Sequence, residues 1–204
     1  YEMLRSLVGS EMCIRDSNAY IAAGVYSDHE CSTFENALEK LRKGQFIMIR
    51  EGTAAHNLKA LMPLLTQQYY SRCMFATDDK HPSDLLYGGH IDYIVKQALK
   101  NGADPIVALK TATHHAARYF LLNNKGAIAS GYLADIVVVD NLEDFNVETV
   151  FKRGKLVFDG EVKDFSVPTV DEKLAEKCFD TFHLDSVTPV SYTHLRAHET
   201  PEHL

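Results

Sequence analysis

The sequence predicts an α/β fold built on a parallel sheet and followed by a small all-β segment. Three observations carry this reading. From Tyr20 onward, short apolar runs alternate with stretches of helical periodicity. The runs are apolar on both faces, as strands covered by helices on both sides require. Beyond about residue 126 the texture changes to β-rich sequence with a hairpin signal.

Residues 22–27 read as the first strand. Ser32-Thr33-Phe34-Glu35 then fits a capping box, with Ser32 capping and Glu35 reaching back. Phe34, Leu38 and Leu41 give that helix an apolar face, and Gly44 supplies its stop. Residues 46–49 are the second strand, 54–65 the second helix with Pro63 near its end, and 74–77 the third strand. A helix is expected over 90–101. Another starts at Asp104-Pro105, where a capping side chain precedes a proline, and runs to about Tyr119. Residues 136–140 read as a β run, 149–158 as a hairpin turning near Arg153-Gly154, and 171–179 as a helix.

Composition narrows the function class. The chain has 204 residues, 46% hydrophobic and 24% charged, with a formal net charge of −7. That is an ordinary globular composition. No apolar run is long enough to span a bilayer. The acidic balance, without a basic stripe interleaved with aromatics, argues against nucleic acid or an anionic membrane as partner. Cys13, Cys31, Cys73 and Cys178 have no CxxC spacing, so neither a disulfide framework nor a structural zinc site is expected. The cytoplasm is the expected location.

The two ends differ from the middle. Residues 1–17 close on Glu11-Met12-Cys13-Ile14-Arg15-Asp16-Ser17, which fits no targeting pattern. Back-translated, this run resembles a transposase mosaic end of the kind used in sequencing-library adapters. Residues 190–200 back-translate to resemble the reverse complement of the same element. Adapter-derived sequence is therefore the expectation for 1–17 and 190–204, and the protein is expected to continue beyond both edges of 18–189. His194 and His198 have the i, i+4 spacing of helical metal ligands, but they fall in this stretch and are given no role.

Each of the first three strands ends in ionisable residues. Asp28-His29-Glu30 follows the first, Arg50-Glu51 the second and Asp78-Asp79 the third. In parallel sheets, functional groups gather where strands end. His29 and Asp78 have the chemistry of ligands for a divalent metal that activates water, and Asp78 could also move the water's proton. The plainer readings are a chance Asp-His-Glu and an Asp-Asp that caps a helix or turn. His29-Glu30-Cys31 lacks the pattern of the cytidine-deaminase zinc site. His56, His90, His114 and His115 read as packed or surface residues, His81 as at most a pocket-edge residue, and Cys31 as a small packing residue.

The motifs Gly24-Val25-Tyr26-Ser27-Asp28-His29-Glu30-Cys31-Ser32-Thr33, Ile49-Arg50-Glu51-Gly52-Thr53-Ala54-Ala55-His56-Asn57-Leu58 and Phe75-Ala76-Thr77-Asp78-Asp79-Lys80-His81-Pro82 resemble the bacterial adenine deaminases of the amidohydrolase superfamily. Residues 126–138 resemble a β-segment common to that superfamily. The resemblance implies a partial (β/α)8 barrel over 18–125, holding its last three βα units. A small β-sandwich segment over 126–165 and the start of a further region over 166–189 would follow. It implies a divalent metal centre, binuclear with Mn, Fe or Zn. His29 would be a ligand, and Asp78 both ligand and proton shuttle. The further ligands would lie upstream.

The implied reaction is hydrolytic deamination of adenine to hypoxanthine and ammonia by metal-activated hydroxide. Glu30 and Glu51 are the candidates to meet a ring nitrogen, with Arg50 beside them at the substrate; either glutamate could equally hold Arg50 in an ion pair. The partner is then a small purine, with room for a homo-oligomer at full length. Two alternatives stand: another metal-dependent amidohydrolase acting on a cyclic amide or N-acyl substrate, and a non-catalytic scaffold. This segment alone is expected to be inactive.

Overall fold

The structure is a computed structural model that describes residues 14–163, 169, 171–179 and 181. The chain divides into two compact units, one ending at Lys163 and the other beginning at Asp164. The first holds α1 (Ile14–Ala22), β1 (Ser27–Asp28), α2 (Phe34–Arg42), β2 (Phe46–Arg50), α3 (Leu58–Leu61), β3 (Cys73–Ala76), α4 (Pro82–Gly88), α5 (Ile91–Lys100), α6 (Pro105–Ala112), α7 (His114–Tyr119), β4 (Ile136–Val139), β5 (Val147–Lys152) and β6 (Lys155–Asp159). The second holds α8 (Glu172–Phe179), where a helix is predicted. The calls on 182–204, His194 and His198 included, lie outside the described residues.

β1, β2 and β3 form a parallel sheet in that order, with Asp28 opposite Ile47 and Arg50 opposite Ala76. The helices between them make this the α/β arrangement predicted. β4, β5 and β6 form a separate antiparallel sheet. Its β5–β6 hairpin turns at Arg153 and Gly154, both with positive φ (50° and 77°), as a two-residue turn between twisted strands requires.

Four elements differ from expectation. The strand predicted over 22–27 shrinks to Ser27–Asp28, because the helix before it runs on to Ala22 and closes through Ala23 N–H to Ala19 O (2.9 Å). That helix, α1, also crosses residue 17, with Ser17 buried. The cap of α2 is Thr33 rather than Ser32: Thr33 Oγ1 accepts from Asn36 N–H at 3.3 Å, which puts Glu35 in the first turn but not in a capping box. The helix predicted over 54–65 is only α3 followed by a 3₁₀ turn at Met62–Leu64, since 52–57 are drawn into a loop. The helix predicted from 105 to 119 breaks at Thr113, whose hydroxyl donates back to Leu109 O (2.7 Å) as that of Thr111 does to Val107 O (2.8 Å); such bonds bend helices.

The core lies between the parallel sheet and its helices. Ile47 and Ile49 of β2 and Cys73 and Phe75 of β3 pack with Leu58, Leu61, Leu64, Ile94, Val95, Ala98, Val107 and Ala108. Each large aliphatic side chain there contributes about 2 kcal/mol by burial. The other face of β2, with Phe46, Met48 and Arg50, is only half-buried, so its two apolar faces are not equally covered. Among the described residues no helix is long and apolar enough to cross a membrane. Cys31, Cys73 and Cys178 are free thiols. Burial pushes the pKa of Cys31 and of Cys73 up to about 12, so neither thiol is a nucleophile.

His115 is buried on α7, with Nδ1–H donating to Cys73 O (3.1 Å) and its ring against Tyr70. Burial lowers its pKa below the ordinary 6.5. The unfolded chain therefore takes up a proton that the fold resists. The resulting stability is complete above pH 6.5 and declines as pH falls through the lowered value. Thermal unfolding followed by circular dichroism should show this decline, and His115→Gln, which keeps a donor toward Cys73, should flatten it.

Candidate active site

The parallel register brings the C-terminal ends of β1, β2 and β3 to one edge. Arg50, the last residue of β2, is the centre of the cluster there. Its Nη1 and Nη2 donate to Glu30 Oε1 (3.2 Å) and Oε2 (2.7 Å), and Nη1 also to Asp78 Oδ2 (2.5 Å). His29 Nε2 lies 3.2 Å from Glu30 Oε1. Four of the residues singled out in the sequence are thus joined in the order His29, Glu30, Arg50, Asp78. Burial alone would lower the pKa of Arg50, but the carboxylates of Glu30 and Asp78 raise it, so it is a permanent cation. Its Nε is buried without a hydrogen-bond partner.

Asp28 braces the turn that carries His29 and Glu30. Its Oδ1 accepts from Glu30 N–H (2.7 Å) and Cys31 Sγ (3.5 Å), and its Oδ2 from Lys40 Nζ (2.7 Å). Burial pushes its pKa up, but the Lys40 ammonium and these hydrogen bonds prevail and hold it below the usual carboxylate value. Lys40 reaches this pair from the buried side of α2.

Glu51 stands apart from the cluster. Its Oε1 accepts from Leu58 N–H at the start of α3 (3.1 Å) and its Oε2 meets His56 Nδ1 (3.0 Å). The ion pair with Arg50 that either glutamate could make is made by Glu30. Asp79 is likewise spent on structure: its Oδ2 accepts from Ala54 N–H (3.0 Å), and the N–H groups of Ala54, Ala55 and Thr53 hold its pKa low. Asp78 has φ 51°, a left-handed conformation that Asp tolerates better than most residues. His81 donates its backbone N–H to Thr53 Oγ1 (2.8 Å) and accepts from Leu85 N–H through its carbonyl (3.0 Å), and His90 Nε2 meets Thr77 Oγ1 (3.3 Å).

Two positions passed over in the sequence shape this edge. Gly52 has no room for a side chain: a Cβ would lie 1.7 Å from Asp79 Oδ1 and 2.8 Å from Thr77 O. Asn57 is buried and bonds across strand ends through Arg50 N–H (2.7 Å), Cys31 O (3.0 Å) and His29 O (3.3 Å). Their signals were the glycine and the asparagine in the Arg-Glu-Gly-x4-Asn stretch after β2.

His29 and Asp78 are half-exposed and offer an imidazole and a carboxylate, the donor types that a catalytic divalent metal takes. Among the described residues, no three His, Cys, Asp or Glu groups gather as an ion would need. By donor chemistry the two suit a metal site that further ligands would have to complete. A separate apolar cavity of about 1080 Å³, lined by Val95, Leu109, Phe145 and Val150 among others, includes none of the cluster residues.

The chain matches the Amidohydrolase family over residues 6–157 and belongs to it. It is 48% identical over 174 residues to the adenine deaminase of Kosmotoga olearia, covering 78% of this chain and 30% of that protein. It is 49% identical to the adenine deaminase of Thermosipho africanus, covering 76% of this chain and 27% of that one. The chain thus spans about 30% of the length of these relatives. Among solved structures, β-aspartyl dipeptidase from Fervidobacterium islandicum aligns with a TM-score of 0.54 and 26% identity, covering 65% of this chain and 36% of that one. Phenylurea hydrolase B aligns with a TM-score of 0.53 at 14% identity, covering 76% of this chain and 43% of that one, a likeness of fold alone. This is an α/β amidohydrolase-type domain.

Gly52→Ala should displace either Asp79 or the Thr77 carbonyl. The expected cost is about 1–3 kcal/mol, the usual penalty of overpacking. A chemical denaturation midpoint lowered at unchanged slope checks it.

Proposed function

We propose that this segment carries part of the active site of an adenine deaminase, which converts adenine and water to hypoxanthine and ammonia. One observation supports this above the others. The three motifs that resemble adenine deaminases are the ones whose ionisable residues gather on a single sheet edge, and the chain is 48% identical to an adenine deaminase. The parallel sheet would be the last three βα units of a (β/α)8 barrel, over 18–125, and the antiparallel sheet part of a β-sandwich over 126–165. The adapter-like ends, the cytoplasmic location and a homo-oligomer at full length belong to the same reading.

His29 and Asp78 would hold a divalent metal, binuclear with Mn, Fe or Zn, together with ligands supplied by other segments. Such a metal makes water a competent nucleophile near neutral pH. Asp78, with Oδ2 held by Arg50, would take the proton released as the C–O bond forms at C6. The same carboxylate would deliver that proton to the amine as the C–N bond breaks. Glu30 is the better candidate to meet a ring nitrogen, since its side chain is exposed at the rim while that of Glu51 is largely covered within its own loop. Arg50 would orient Glu30 and Asp78 at the substrate's edge.

In the complete protein, ammonia release from adenine should be well above background, and Asp78→Asn should lower kcat by about 10²–10⁴-fold. Release no faster than background from the unsubstituted protein would sink this reading. The likeness to β-aspartyl dipeptidase favours, as a second reading, hydrolysis of an amide bond. Turnover of a β-aspartyl dipeptide without turnover of adenine would establish it in place of the first. The 204-residue chain by itself should give no turnover in the same assay, because among its described residues no three His, Cys, Asp or Glu groups gather to hold an ion.

A further inference from the structure

We infer that Asn57 is a positioning residue that sets the candidate metal ligand His29 against Arg50. The ladder between β1 and β2 consists of Ser27 opposite Phe46 and Asp28 opposite Ile47, and it stops there. The chain bearing His29 then leaves the sheet. Beside the Glu30–Arg50 ion pair, the backbone of that turn is tied toward β2 by one side chain: Asn57 Nδ2 donates to His29 O (3.3 Å) and Cys31 O (3.0 Å). The same amide accepts from Arg50 N–H through Oδ1 (2.7 Å), and the Asn57 backbone N–H donates to Arg50 O (3.0 Å).

The residue type follows from this geometry. The position must accept one hydrogen bond and donate two, in a setting that is 7% exposed. A primary amide does this, whereas a carboxylate of the same shape would face two carbonyl oxygens with no proton to offer. Buried carbonyls left without donors are costly, so the turn would shift to find others. His29 would move with it. Arg50, and through it Glu30 and Asp78, is fixed at the other end of the amide.

The inference rests on the reading of His29 as a metal ligand, and the experiment separates the two. In the complete protein carrying this segment, Mn²⁺ affinity is measured by calorimetry for the unsubstituted protein, Asn57→Asp, His29→Ala and Val107→Ala. kcat and KM are followed in parallel. Val107 is a buried core residue on α6 and controls for lost stability alone. The expected result is a 10–100-fold weaker Mn²⁺ affinity in Asn57→Asp, as for other residues that orient a ligand, with Val107→Ala unchanged. Unchanged affinity in Asn57→Asp overturns the inference, and so does an equal loss in Val107→Ala. Unchanged affinity in His29→Ala overturns the ligand reading and this inference with it. If Asn57→Asp does not fold, Asn57→Gln, which carries the amide one methylene further out, replaces it with the same outcomes.

Discussion

The side chain of Arg50 joins groups from three neighbouring strand ends, and the arrangement of the sheet edge depends on it. Glu30 arrives from β1 and Asp78 from β3, and both would repel each other without the guanidinium between them. The planar fork of Arg suits this task, because it can hold one carboxylate bidentately and still reach a second. The stability gained is modest, since Glu30 is 58% and Asp78 33% exposed and water screens such pairs. The value of the cluster is geometric: it fixes where two carboxylates and an imidazole stand relative to one another.

That geometry needs a rigid base, which lies one layer below. Asp28 and Lys40 form an ion pair in which both partners are largely sequestered, and both oxygens of Asp28 are committed. Removing one partner of such a pair strands a charge, which costs more than the intact pair contributes. The pair ties α2 to the turn carrying His29 and Glu30. On the other side, Asp79 and Glu51 gather the N–H groups of the loop after β2. The rim residues are thus held from behind by a second set of ionisable groups.

Much of this was legible in the sequence. The three parallel strands, the polar clusters at their ends, the Asp104-Pro105 helix start and the Arg153-Gly154 hairpin all rest on local patterns of periodicity and turn chemistry. The misses share a cause. The cap at Thr33, the shortened α3 and the break at Thr113 are decided by side chains reaching backbone groups, where neighbouring residues of similar propensity compete. The single-sided cover of β2 is a tertiary matter. Asn57 gave no sign in isolation, because its importance is a contact with residues 26 and 28 positions away.

The same limit explains why the sequence offered both Arg50 and Glu51 as candidates at the substrate. A strand sends successive side chains to opposite sides. Where two ionisable residues follow one another at a strand end, one remains at the rim while the other turns into the supporting structure. Arg50 stays in the cluster and Glu51 caps α3. Asp78 meets Arg50 while Asp79 serves the loop. At the end of β1 the turn after Asp28 inverts the order, so that Asp28 is the supporting residue and His29 and Glu30 are presented. Composition and spacing identify the doublets. For Arg50 and Glu51 the pleat, and the loop that β2 feeds, assign the two roles.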